Sequence, residues 1–389
     1  MRVESGLEVL VHRRRRFLHG RRVALVAHQP SVDSCLEHAS TLLRDMPGAR
    51  LVRLFAPEHG LWGAPQDHVA ISAARDPVTR LPVVSLYGQR REPTPAMLHR
   101  LDAIVVDLQD VGARYYTYVW TTVLVMRAAG RVGVPVIVLD RPNPLGGEIV
   151  EGNLPDPAYA SFVGLHPLPA RHGLTIGEIV CWVALNHGVR CEVTVIPMRG
   201  WRRAMTWADT GLPWVAPSPN MPTPDTALVY PGGCLFEGTN LSEGRGTTRP
   251  FEWDGAPWLD AHRLAAALEA ENLPGVRFRP TRFMPTFHKW AGRLCGGVQI
   301  HPTDPARFKP YLTALAVIAA ARLQAPSQFR WRRPPYEFEH HLLPIDILCG
   351  TDQIRRALER RQPMRAIERS WEAGLVDFRR RRGLVTLYR

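Results

Sequence analysis

The sequence predicts an α/β protein: a Rossmann-like, mostly parallel sheet with helices on both faces, followed by a smaller C-terminal α+β domain. Three observations carry that prediction. Apolar, β-branched runs at 22–27, 51–55, 103–108 and 135–139 are separated by helix-length segments, which is the rhythm of parallel βαβ units. Each run ends in a polar motif: His28-Gln29-Pro30, Pro57-Glu58-His59-Gly60, Gln109-Asp110-Val111-Gly112 and Asp140-Arg141-Pro142-Asn143. Near residue 260 this rhythm gives way to a helical pattern, two short strand patterns and further helices.

Taken in order, helices are expected over 36–44, 94–101, 121–129 and 175–185, and a further strand over 193–197. Thr175 with Glu178 three residues on has the form of a capping box, so Glu178 has a helix-start role available beside a catalytic one. Residues 211–258 are dense in Pro, Gly, Ser, Thr and Asn. Long irregular segments of this kind are usually functional or disordered, and the embedded Trp and Phe argue against disorder. A helix over 259–270, strands over 275–283 and 297–301, and helices over 307–323, 352–359 and 366–378 follow. The expected division is 1–258 for the first domain and 259–389 for the second.

Composition narrows the class. A chain of 389 residues with 45% hydrophobic content is long enough for two domains with real cores. No apolar run approaches the ~18 residues of a membrane span, so no membrane insertion is expected. The absence of a secretory apolar region near Met1 points to a cytoplasmic protein. The six cysteines are scattered, with no CxxC pair, which reads as free thiols rather than a disulfide frame or zinc site. The net charge of +13 owes much to arginine clusters at 13–16 and 379–382. They lack interleaved aromatics or any nucleic-acid-binding signature, so they read as solvated surface and nucleic acid is not an expected partner. The first strand is not followed by GxGxxG, and GxxxxGK[ST] is absent; no cofactor is expected. No HxH or HExxH spacing points to a metal, and no GxSxG elbow to a serine hydrolase. The sequence leaves the oligomeric state open.

The carboxyl ends of parallel strands share one sheet edge, so the polar motifs should meet in one crevice. Glu58, fixed between a proline and His59-Gly60, is the first candidate for a general acid, and partial desolvation suits that role. Its alternative is to satisfy turn amides or pair with an arginine. His59 would orient the acid or bind ligand. Asp110 and Glu243 are rival second carboxylates, with Glu151 and Glu237 behind them; Asp110 alternatively holds Arg114 in a buried pair. Arg114, Arg141 and Arg245 are candidates to grip an anionic group in bidentate fashion. Tyr116 and its neighbouring tyrosines offer aromatic surface. Asp140, Asn143, His172, Ser218 and Asn220 complete the expected binding set. Gly244 and Gly246 suggest close backbone approach to a ligand.

Eight motifs then resemble one family. They are PEHGLWG from Pro57, SLYG from Ser85, DLQDVGARYYTY from Asp107, VLDRPNPLGG from Val138, RHGLTIGE from Arg171, PSPNMP from Pro217, FEGTNLSEGRGTTRPFE from Phe236 and GAPW from Gly255. Together they are similar to the exo-β-N-acetylmuramidases, from about Gly6 to the end. The resemblance implies a Rossmann-like catalytic domain, a smaller C-terminal domain and a cleft between them. It also implies release of terminal β-linked N-acetylmuramic acid from the non-reducing end of a peptidoglycan-derived disaccharide or short glycan. In that reading Glu58 protonates the leaving oxygen, and a second carboxylate acts on water or the anomeric carbon. One of the three arginines meets the lactyl carboxylate. His28-Gln29-Pro30 stands where relatives carry an asparagine-containing turn. Two other readings compete. A non-catalytic muropeptide- or sugar-binding protein would not need Glu58, and an amide or ester hydrolase would need a Ser/His or Cys/His pair that no motif supplies.

Overall fold

A computed structural model describes residues 2–64, 66 and 74–389. Seven strands form the main sheet: β1 (Arg22–Ala27), β2 (Arg50–Ala56), β3 (Ala74–Arg75), β4 (Pro82–Ser85), β5 (Ala103–Asp107), β6 (Val136–Leu139) and β7 (Val193–Ile196). Their order is β3-β4-β2-β1-β5-β6-β7, and every pairing except the β3–β4 one is parallel. β5 and β6 are buried at every position, which is why they read as unbroken apolar runs rather than alternating ones. Successive side chains still point to opposite faces. Ala24, Val26, Ile104 and Val106 join one core with the helix Tyr118–Arg131. Val23, Leu25, Ala103 and Val105 join the other with the helix Gly6–Arg13.

The chain runs from β1 outward through β2 and β4, then returns to build β5, β6 and β7 on the other side. This reversal between β1 and β5 opens a crevice at their carboxyl ends. A second, antiparallel sheet has the order β8-β10-β9, made of β8 (Trp253–Ala256), β9 (Val276–Phe283) and β10 (Cys295–Pro302). The Rossmann-like sheet and the smaller α+β unit are those the sequence predicts.

Several boundaries shift for local reasons. The helix expected over 36–44 begins at Ala39, because Leu36 is left-handed (φ 66°) and the His38 ring caps the Ser40 amide. The segment 211–258 holds a regular helix, Pro224–Gly233, capped by Thr223. Its two prolines, Pro224 in the first turn and Pro231 inside the helix, and the glycine pair at its end look like a loop in sequence, yet Pro224 and the glycines stand where helix termini tolerate them. It also holds β8, so a division at 258/259 parts that strand from β10. A division ahead of the helix Pro224–Gly233 keeps them together. Of the arginine clusters, Arg379 and Arg380 are exposed and pair with Glu372 and Asp377. Arg382 instead turns inward and donates to the Gly147 carbonyl, while Arg381, its side chain as exposed as that of Arg379, lies over Trp182 and donates to Asn186. No described helix is long and apolar enough to cross a membrane.

Close packing of the helix Pro224–Gly233 against the helix Pro310–Gln324 depends on Gly232, where an added Cβ would stand 1.9 Å from the Pro310 carbonyl oxygen. Gly232→Ala is expected to cost about 1–3 kcal/mol through overpacking, read from urea unfolding. A change under about 0.5 kcal/mol would mean that the two helices part freely.

Candidate active site

The loop after β2 turns back on itself: the Gly60 amide donates to the Pro57 carbonyl, with His59 and Gly60 both left-handed at φ 65° and 78°. The turn lays Glu58 over the sheet edge, where its Oε2 accepts the Thr117 hydroxyl at 2.8 Å. Thr117 precedes the helix that follows β5. One residue on, the Tyr118 hydroxyl donates to the Pro217 carbonyl at 2.6 Å and so fastens the Pro217–Pro222 loop. Loops far apart in sequence are thereby locked at one end of the sheet.

A pocket of about 530 Å³, counting its mouth, opens at this junction. Glu58, His59, Tyr116, Thr117, Ser218 and Asn220 line it from the side of the large sheet. Glu237, Arg245, Phe251, Tyr336 and Glu337 line it from the opposite side. Arg245 Nη2 donates to Glu237 Oε1 at 2.8 Å, and the guanidinium rests on the Phe251 ring at 5.0 Å. The other Glu237 oxygen accepts the Tyr336 hydroxyl at 2.7 Å. Behind Arg245, fully buried Glu243 meets Lys289 Nζ at 2.6 Å, His288 Nδ1 at 3.0 Å and Arg245 Nε at 3.3 Å. Burial would raise its carboxyl, but Lys289, His288 and Arg245 together outweigh that and hold it well below the usual carboxylate range. Burial among aromatic rings pushes the Tyr116 phenol well up, so it presents a neutral hydroxyl at the pocket wall.

Of the residues the sequence nominates, Glu58, His59, Tyr116, Ser218, Asn220, Glu237 and Arg245 come together. The others do not line this pocket. Arg114 is fully buried and donates to the carbonyls of Asn153 (2.9 Å), Leu168 (2.8 Å) and Leu348 (2.6 Å), so it has no face toward a ligand here. Arg141 forms a buried bidentate pair with Asp107 at 2.5 and 2.8 Å. Asp140 accepts from Thr175, Gly177 and Tyr388 at 2.6–2.8 Å, while burial pushes its carboxyl up to about 6. Asn143 bridges the Leu174 carbonyl and the Leu145 amide. Glu151 accepts the Tyr311 and Leu312 amides at the start of the helix Pro310–Gln324, where orphan N–H groups need an acceptor. Asp110 accepts the Gly112 amide at 2.7 Å and faces His172 Nε2 at 3.2 Å, not Arg114. Glu243 sits behind Arg245 rather than in the pocket wall. Glu178 closes its capping box with Thr175 and pairs with Arg203 at 2.6 Å. The common cause is that strand-end loops carry many buried backbone groups, and nearby polar side chains satisfy them.

Thr117, Tyr230, Tyr336 and Glu337 line the pocket without having been singled out. Thr117 adjoins Tyr116 in the same motif. Tyr230 lies in the helix hidden within the 211–258 segment, and Glu337 in an Arg- and Pro-rich stretch with no periodicity.

Comparison with known proteins bears on this arrangement. Residues 23–225 match the family model described as the N-terminal part of the exo-beta-N-acetylmuramidase NamZ, and residues 228–388 match its C-terminal part. Over 387 residues the chain is 40% identical to the peptidoglycan beta-N-acetylmuramidase NamZ of Bacillus subtilis (strain 168), covering 100% of this chain and 92% of that one. Two crystal structures of DUF1343 family proteins from Bacteroides fragilis NCTC 9343 share its architecture. BF0371 is 33% identical with a TM-score of 0.90, and BF0379 is 27% identical with a TM-score of 0.77. Each comparison covers 100% of this chain and 99% of the other.

Arg114→Met leaves three carbonyls without their donor and is expected to destabilise by about 3–5 kcal/mol in denaturant unfolding. An unchanged unfolding midpoint with weakened ligand binding would instead make Arg114 a ligand contact. Glu243 carries a pH signature. A carboxylate held below its ordinary 4.5 contributes stability that is complete above that value and is lost as pH falls through its folded value. Glu243→Gln is therefore expected to be less stable at neutral pH and to show a flatter loss of stability below about pH 4.5. Parallel acid-unfolding curves for the two proteins would contradict this.

Proposed function

Because the chain belongs to the exo-β-N-acetylmuramidase family, we propose that this glycoside hydrolase releases terminal β-linked N-acetylmuramic acid from the non-reducing end of peptidoglycan fragments, with Glu58 as proton donor. The observation that carries the reading is the convergence of Glu58, Glu237 and Arg245 on one pocket at the sheet's switch point. Glycoside hydrolysis needs one carboxyl group to protonate the leaving oxygen and a second group to act at the anomeric carbon or on its attacking water. Thr117 orients the Glu58 carboxyl through the bond to Oε2. Glu237, ion-paired to Arg245 and bonded to Tyr336, is fixed as the second carboxylate. It takes precedence over Asp110 and Glu243, which stand outside the pocket wall. Arg245 is the one nominated arginine that lines the pocket, and it receives the lactyl carboxylate that distinguishes muramic acid from glucosamine. Tyr116, Ser218 and Asn220 supply hydroxyl and amide groups for the ring substituents.

The test uses leaving groups of different basicity. A general acid matters most when the departing oxygen is a poor leaving group. Glu58→Gln is expected to cut kcat on the N-acetylmuramyl–N-acetylglucosamine disaccharide by about 10²–10⁴-fold. The loss on para-nitrophenyl β-N-acetylmuraminide should be distinctly smaller. Equal losses on both substrates would remove Glu58 as the proton donor. Hydrolysis of the N-acetylglucosaminide as readily as the muraminide would remove the lactyl group as the feature recognised.

A further inference from the structure

One turn at the pocket is built from residues that its backbone does not favour. Tyr336 and Glu339 exchange two backbone hydrogen bonds, the Tyr336 amide to the Glu339 carbonyl at 2.9 Å and the Glu339 amide to the Tyr336 carbonyl at 2.8 Å. The two residues between them, Glu337 and Phe338, both have positive φ, 46° and 67°. A two-residue hairpin loop of this form is the natural place for Asn-Gly, which adopts positive φ cheaply. Bulky side chains held there cost backbone strain, and such strain concentrates where a side chain has a task.

The side chains sit where a task exists. Glu337 is buried in the pocket wall beside Tyr336. Phe338, the next residue in the chain, is 42% exposed. Phe162, whose neighbour Val163 lines the pocket, and Tyr87 brace the Phe338 ring at 6.1 and 5.6 Å. Exposed Arg91 lays its guanidinium 4.8 Å from the same ring centre. The result is an aromatic cluster with the Arg91 guanidinium over one face of the Phe338 ring and a carboxylate on the pocket side.

We propose that the Glu337–Phe338 turn is the subsite for the sugar on the leaving side of the scissile bond, and that its occupant is a neutral N-acetylated pyranose. This rests on the muramidase reading above. An exo-acting enzyme holds the terminal sugar inside, so the next sugar lies outward of the pocket wall, and the exposed neighbour of wall residue Glu337 is Phe338. An aromatic ring suits the apolar face of a pyranose. Glu337 accepts one of its hydroxyl protons, and Arg91 donates to the acetamido carbonyl. Charge at the turn is balanced and suits a neutral occupant: the Glu337 carboxylate on the pocket side stands against the Arg91 guanidinium over the Phe338 ring.

The experiment compares kcat/KM on the disaccharide with kcat/KM on trifluoroethyl β-N-acetylmuraminide, whose small leaving group does not span the cluster. Phe338→Gly removes the ring and also relieves the left-handed strain, so the protein remains folded, as thermal unfolding verifies. The ratio of disaccharide to trifluoroethyl efficiency is expected to fall roughly tenfold, the worth of one aromatic contact. Phe338→Tyr should recover it. A ratio within about twofold of the unaltered enzyme's in Phe338→Gly overturns the subsite while leaving the muramidase reading intact. Failure of the unaltered enzyme to hydrolyse either glycoside overturns both, so the two failures are told apart.

Discussion

The site depends on a buried arginine that has no acid partner among the described residues. Three carbonyls accept hydrogen bonds from the Arg114 guanidinium, and the third, from Leu348, belongs to the short helix Pro344–Cys349 of the C-terminal part of the chain. A carbonyl near a helix C-terminus carries partial negative charge and has no partner within its own helix, so a guanidinium satisfies it well. The arginine's own backbone is fixed as well, by the Ala170 carbonyl and the Trp120 indole. With Arg114 pinned on all sides, the next residues are directed toward the pocket: Tyr116 into its wall, Thr117 onto Glu58 and Tyr118 onto the Pro217 carbonyl. The arginine therefore joins the two parts of the chain and aims the loop that holds the acid.

Around the pocket, charge is layered. Glu237, Arg245, Glu243 and Lys289 alternate in sign from the pocket wall inward. Such a chain holds each long side chain by its neighbours, so Arg245 enters the pocket already oriented rather than ordered by ligand at an entropic cost. A substrate carboxylate then meets a preset cation, while the carboxylates around the rest of the wall favour hydroxyl donors. The same pocket can thus take a sugar that is anionic at one substituent and neutral elsewhere.

The sheet was legible because β5 and β6 are buried on both faces and so appear as unbroken β-branched runs. Their parallel arrangement followed from the helix-length spacing, and the position of Glu58 at a strand end followed from that arrangement. Sequence could not separate side chains that face the cavity from those that satisfy backbone. Arg114 and Arg245 look equally suited to an anion, yet one meets three carbonyls and the other enters the pocket wall. Asp140, Asn143 and Glu151 were drawn inward by the same demand of loop amides and carbonyls. The helix Pro224–Gly233 was hidden because two prolines, one of them inside it, and a terminal glycine pair break its pattern, and Glu337 because its place depends on a turn whose usual residues are absent.

The most direct test is a crystal structure of the Glu58→Gln protein soaked with the N-acetylmuramyl–N-acetylglucosamine disaccharide. The account predicts the bridging oxygen within hydrogen-bond reach of residue 58 and the lactyl carboxylate on Arg245. A disaccharide seated instead in the separate cavity between Leu145, Trp207 and Asp304, with the Glu58 pocket unoccupied, would contradict it.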